Sequence, residues 1–84
     1  RRKCCDRVLR FFVALHDWLG IPEAYPPEPV RMPMTKHDIA MYLQMSPETL
    51  SRALAELRGK GALRVTGATF VLTDVRQARK RSRL

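Results

Sequence analysis

The dipeptide Ser46-Pro47 lies inside a strongly helical stretch and fixes where one helix stops and the next begins. Proline has no amide to donate and biases the residue before it away from helical geometry, so one continuous helix cannot run through this point. Pro47 suits a first helical position, Ser46 can accept hydrogen bonds from first-turn amides, and Glu48 complements the positive end of the helix dipole. Upstream, Thr35 followed three residues later by Asp38 approximates a capping box, and Ile39, Ala40 and Leu43 then share one face. The spacing therefore predicts two short helices joined by about three residues. Leu50, Ala53, Leu54 and Leu57 form the buried stripe of the second, and Gly59 and Gly61 flank its end.

What surrounds this pair narrows the fold. Leu63–Thr66 and Thr69–Leu72 are rich in β-branched and aromatic residues and flank Gly67-Ala68, the pattern of a hairpin with a two-residue turn. Residues 4–19 read as an amphipathic helix in which Val8, Phe11, Phe12, Leu15, Trp18 and Leu19 make the apolar face and Gly20 the stop. His16 is expected at the surface or boundary of that helix. Five of the six prolines fall between Ile21 and Met34, so this stretch reads as an extended connector with one short strand at Val30–Met32. Thr73-Asp74 can cap a last short helix. The expected organisation is an N-terminal helix (1–20), a Pro-rich connector (21–34), a helix-turn-helix (35–60), a wing (62–73) and a basic tail (74–84). Small Ala40 at the helix crossing, with Ile39, Leu43, Met45, Leu50 and Ala53 as the wedge, completes a winged helix-turn-helix: mainly α with a small β-hairpin.

Composition bounds what such a fold can do. Eighty-four residues allow one domain and leave no second lobe to close a cleft over a substrate. Sixteen Lys plus Arg against eight Asp plus Glu give a net charge of +8, which points to a polyanionic partner. No apolar run could span a bilayer. The chain opens without an initiator Met and without a secretory signal, so it reads as a piece of a longer protein. Cys4 and Cys5 are adjacent and cannot staple distant segments; they read as reduced thiols near a frayed terminus. With only His16 and His37 to join them, no metal or other cofactor is expected. No nucleophile–base pair, Gly-rich phosphate loop or paired carboxylate motif is recognisable, so the chain is not read as an enzyme.

If the aliphatic stripe of the second short helix faces inward, then Glu48, Ser51, Arg52, Ala55 and Arg58 face outward. Glu48, Ser51 and Arg52 lie in the first two turns, the part of a recognition helix that reaches base edges. Arg52 offers a planar fork that matches the two acceptors of guanine, Glu48 offers only acceptors and would select an exocyclic amine, and Ser51 can touch an adjacent base or a thymine methyl. The plainer account is an i, i+4 ion pair between Glu48 and Arg52 on a solvated helix, contributing about 0.2–0.5 kcal/mol. Candidate phosphate ligands surround this centre: Thr35, Lys36 and His37 before and within one helix start, Ser46 and Thr49 at the other, and Lys60, Arg64, Thr66 and Thr69 around the wing.

The run from Met32 to Leu54, Met-Pro-Met-Thr-Lys-His-Asp-Ile-Ala-Met-Tyr-Leu-Gln-Met-Ser-Pro-Glu-Thr-Leu-Ser-Arg-Ala-Leu, followed by Leu57-Arg-Gly-Lys-Gly, resembles the DNA-binding domain of the CRP/FNR family of bacterial transcription regulators. The likeness is strong from Met32 to Val65 and weaker over Arg7–Leu19 and Phe70–Asp74. Glu48-x-x-Ser51-Arg52 is similar to the FNR/FixK-like branch. The resemblance implies that a recognition helix over 47–58 reads a TTGAT-like half-site repeated as a palindrome. It implies double-stranded DNA as partner, a cytoplasmic homodimer in the full-length protein with this piece alone a monomer, RNA polymerase as a candidate partner, and no membrane. Glu48, Ser51 and Arg52 match the family's base-reading positions, and Thr35, Lys36, His37, Ser46 and Thr49 match positions that approach the backbone.

Two departures stand out. Gln44 occupies the tight-turn position where many helix-turn-helix proteins place Gly, at a cost of up to ~1 kcal/mol if its φ is positive. Pro47 replaces an Arg of the cyclic-AMP-responsive branch. The family's sensor domain and long dimerisation helix do not fit in this chain. The rival expectation is a winged helix that binds a partner protein through an apolar patch in place of Glu48, Ser51 and Arg52; a further one is non-specific RNA binding through the basic tail.

Overall fold

The structure, a computed structural model, describes residues 2–22, 24, 26–73 and 80. The expected short helix after Thr73 and, Lys80 apart, the basic tail lie outside the described residues. In chain order the elements are α1 (Arg2–Trp18), β1 (Val30–Arg31), α2 (Lys36–Tyr42), α3 (Pro47–Gly59), β2 (Leu63–Thr66) and β3 (Thr69–Leu72).

Each helix ends in the same way, because each needs to satisfy its last carbonyls while reversing direction. At the end of α1 the amide of Gly20 donates to Asp17 and that of Ile21 to His16; at α2 Gln44 donates to Met41 and Met45 to Ala40; at α3 Gly61 donates to Arg58 and Ala62 to Leu57. These are paired Schellman closures, which place the residue after the cap in the left-handed region. Gly20 and Gly61 fill that place at φ 67° and 70°; at α2 it is filled by Gln44 at φ 57°. Gln44 thus has the positive φ on which the cost of a non-Gly residue at this turn depends.

The starts are equally local. Thr35 accepts from the Asp38 amide while Asp38 accepts from the Thr35 amide, both at 3.1 Å, a complete capping box. Ser46 accepts from the Thr49 amide at 3.1 Å with Pro47 in the first turn. The hairpin turns through Gly67 at φ 58° followed by Ala68 at negative φ, the sign pattern of a type II′ turn. The wing holds a third strand: β1 lies antiparallel to β3, with Val30 opposite Phe70 and Arg31 opposite Thr69, giving the order β1-β3-β2.

The core is formed where α1 and α3 pack on each other and on the inner face of this sheet. Val8, Leu9, Phe12, Ile39, Leu50, Leu63 and Phe70 are fully buried, and the Phe12 and Phe70 rings meet with centroids 5.0 Å apart. The apolar face of α1 differs from the expected one. Its buried residues are Cys5, Val8, Leu9, Phe12, Val13, Leu15 and His16, so the inward stripe is rotated by roughly 75° from the expected set at 100° per residue. Trp18 is thereby turned outward, 77% exposed, and Phe11 and Leu19 are half-buried. His16, expected near the surface, is only 6% exposed; the connector folds back over it, and Ile21, Pro22, Val30 and Leu72 share its cavity. Cys5 is buried within helix, not frayed. Leu54 is half-buried, flanking the α3 stripe of Leu50, Ala53 and Leu57.

Candidate nucleic-acid interface

On α3 the inner residues leave one edge for solvent. Glu48, Ser51 and Arg52 are all exposed, as are Ala55 and Arg58, while Leu50, Ala53 and Leu57 hold the opposite side against the core. The first two turns thus carry an acid, a hydroxyl and a guanidinium on one accessible edge. Among the described residues no ion pair joins Glu48 to Arg52; the pair on this helix is Glu56–Lys60, at 3.2 Å. The plainer account of Glu48 and Arg52 as a helix-stabilising pair therefore does not describe this conformation, and both side chains are available for other partners.

The expected phosphate ligands fall into two groups. Thr35, Lys36, His37, Ser46 and Thr49 cluster at the beginnings of α2 and α3, all exposed except half-buried Thr49. Ser46 also donates its hydroxyl to Thr49 Oγ1 at 2.9 Å, so the two hydroxyls are oriented by each other. The Asp38 carboxyl is held below its ordinary range, first by the Thr35 backbone amide and then by the Thr35 hydroxyl, and it stays ionised beside Lys36 and His37. Thr66 is exposed at the wing, its carbonyl accepting from the Thr69 hydroxyl at 2.9 Å, and Arg64 is exposed on β2. Lys60 stands apart: it caps the far end of α3, ~18 Å along the helix from Glu48, and its ammonium is engaged by Glu56.

Beside the exposed edge of α3, Cys4 and Cys5 of α1 line a cleft with Thr49, Arg52 and Glu56. Burial, and then a hydrogen bond to the Glu56 carboxylate, pushes the Cys5 thiol above its usual range, which keeps it protonated and unreactive. Arg7 of α1 donates to the carbonyl of Leu43, the residue that caps α2, and so ties the helix-turn-helix to α1. One basic residue escaped the sequence reading: Arg31, exposed on β1, lines a groove with Lys36 and His37. The signal available was an Arg one residue before Met32, inside a stretch dominated by prolines.

Among the described residues no helix is long and apolar enough to cross a membrane. The fold is similar to that of CprK complexed with OCPA (C200S), at 21% identity and TM-score 0.78 over 95% of this chain and 38% of that one. It is similar to the CO-dependent transcription factor CooA from Carboxydothermus hydrogenoformans, at 20% identity and TM-score 0.76 over 96% of this chain and 37% of that one. FixK2 from Bradyrhizobium japonicum is 27% identical, with TM-score 0.70 over 92% of this chain and 37% of its own. The chain thus spans well under half the length of these solved chains. No relative was found among curated proteins. Residues 6–80 match the Crp-like helix-turn-helix domain, nearly the whole chain, and with a wedge of two capped helices, a wing behind them and a polar outer edge on α3, the chain belongs to that family, the DNA-binding domain of CRP/FNR transcription regulators.

Proposed function

We propose that this domain binds DNA sequence-specifically as the output module of a dimeric bacterial regulator, with α3 in the major groove of a TTGAT-like half-site. The observation that carries the reading is the joint exposure of Glu48, Ser51 and Arg52 along one edge of α3, above the buried stripe of Leu50, Ala53 and Leu57. Arg52 places its two donors on the O6 and N7 acceptors of a guanine, Glu48 accepts from the exocyclic amine of cytosine or adenine, and Ser51 contacts a neighbouring base. Thr35, Lys36, His37, Ser46 and Thr49 hold the flanking phosphates, and Thr66 and Lys60 extend that contact along the wing side, Lys60 after release from Glu56. Two such domains in a homodimer present their reading helices about 34 Å apart to a palindrome. One domain alone is a monomer with weak affinity, near ~10⁻⁴ to 10⁻⁶ M. The regulator acts in the cytoplasm, with RNA polymerase as its further partner.

The partner-protein alternative expects an apolar patch where these three polar residues stand. The exposed large apolar side chains, Trp18, Met41 and Tyr42, belong to α1 and α2, and the accessible edge of α3 is polar apart from small Ala55. The test is a titration of the chain and its Arg52→Ala variant against a duplex carrying the TTGAT palindrome and a scrambled one. Arg52→Ala is expected to cost ~1–3 kcal/mol on the palindrome and to flatten discrimination at one guanine. Equal losses on both duplexes overturn base reading.

A further inference from the structure

We propose that Arg31, together with Lys36, forms a clamp for the DNA backbone between the wing and α2, so that one stretch of phosphates is gripped by both at once. The inference rests on the DNA-binding reading and adds to it a ligand from an element outside the helix-turn-helix. β1 is only two residues long, yet its pairing with β3 and the bond that follows it fix its placement. Arg31 lies opposite Thr69 in the antiparallel pair with β3, and the next amide, Met32, donates to the carbonyl of Ala68 in the wing's turn at 2.8 Å. From there three residues lead to Lys36 in the first turn of α2, whose cap is closed by Thr35 and Asp38.

The result is an open groove. Its wing side is the Gly67-Ala68 turn, and Arg31, Lys36 and His37 line it with Asp38. Arg31, Lys36 and His37 are all exposed. The groove's carboxylate, Asp38, is turned to the capping box and accepts the Thr35 amide at 3.1 Å, so its charge is partly committed there. Gly67 has no side chain, and open space surrounds the place where one would stand, which leaves the turn clear for close approach by a backbone. Arg31 supplies a guanidinium fork for the paired non-bridging oxygens of a phosphodiester, and Lys36 a point charge. Phosphate contacts carry no sequence information but fix register. A clamp whose cations come from the sheet and from α2 would therefore hold the wing and the reading helix at one setting relative to the duplex.

The experiment measures binding of the chain, Arg31→Gln, Lys36→Gln, the double variant and Arg52→Ala to the TTGAT palindrome and to a scrambled duplex across a salt series. Circular dichroism of each variant verifies that the fold is unchanged, as exposure of both cations leads one to expect. Arg31→Gln should weaken both duplexes by the same factor and reduce the slope of log K against log salt by about 1, the double variant by about 2. Arg31→Lys should restore the slope. If Arg52→Ala abolishes discrimination while Arg31→Gln leaves slope and affinity unchanged, the clamp is overturned and the DNA-binding reading stands. A loss for Arg31→Gln on the palindrome alone also overturns it, since that is base reading. If the chain binds neither duplex, the DNA-binding reading itself has failed, and the clamp with it.

Discussion

Replacing Gln44 with Gly should make the domain more stable, although Gly lowers stability at most helical and strand positions. Gln44 sits at φ 57°, where the Cβ of an L-residue crowds the following carbonyl at a cost of about 1 kcal/mol, the upper end of the range expected from the sequence. Its side chain is exposed, so its removal sacrifices no core packing. Its amide bond to Met41 is backbone and survives the change. Against this relief stands the extra freedom Gly gives the unfolded chain, about 0.4–1 kcal/mol. The difference is a gain of up to about 0.6 kcal/mol, or a rise in melting temperature of up to ~2–5 °C for a domain of this size. Urea unfolding followed by far-UV circular dichroism is the suitable assay, because the single tryptophan, Trp18, is already 77% exposed and reports little. The midpoint should move up with the m-value unchanged. Gln44→Ala, which keeps a Cβ, should gain nothing. A Gly variant no more stable than the Ala variant would refute the strain argument.

Phe70→Ala should cost ~3–5 kcal/mol, because the ring is fully buried against Phe12, and thermal melting should show a domain left marginal or unfolded at 37 °C. Ser46→Ala should cost ~1 kcal/mol by removing the acceptor for the Thr49 amide, measured by the same denaturation. The depressed Asp38 carboxyl stabilises the fold above the ordinary carboxylate pKa of 3.8, and that contribution is lost as pH falls through its lower folded value. Asp38→Asn should therefore flatten this part of the acid stability profile. With the Cys5 thiol pushed up by burial and Glu56, maleimide at neutral pH should label Cys4 well before Cys5, and comparable rates in the folded protein would contradict the burial.

What could be read from the sequence was what is determined locally. The starts of α2 and α3 follow from Thr35–Asp38 and Ser46-Pro47, whose hydrogen bonds span only three residues, and the end of α3 follows from Gly61. The exposure of Glu48, Ser51 and Arg52 followed from the aliphatic stripe on the opposite side of the same helix. Long-range choices were not legible. Residues 4–19 offer apolar side chains over most of the circumference, and periodicity alone does not say which arc the core covers; α3 and the sheet select Cys5, Leu9 and Val13 over Trp18. The burial of His16 depends on a connector that folds back, and the pairing of Val30 with Phe70 joins residues forty apart. Arg31 was overlooked for the same reason: its neighbours across the groove come from α2 and the wing's turn, not from its own stretch of chain.

The hydrogen bond from Arg7 to the Leu43 carbonyl bears on how such a domain can be steered. It latches the first helix to the corner between the second and third, while the first and third also share the core through Val8, Phe12, Leu50 and Ala53. The corner is thereby held by a contact from outside the helix-turn-helix as well as by its own backbone hydrogen bonds. A displacement of the first helix is therefore expected to carry the exposed edge of α3 with it, turning the domain bodily and leaving the angle between the two short helices little changed.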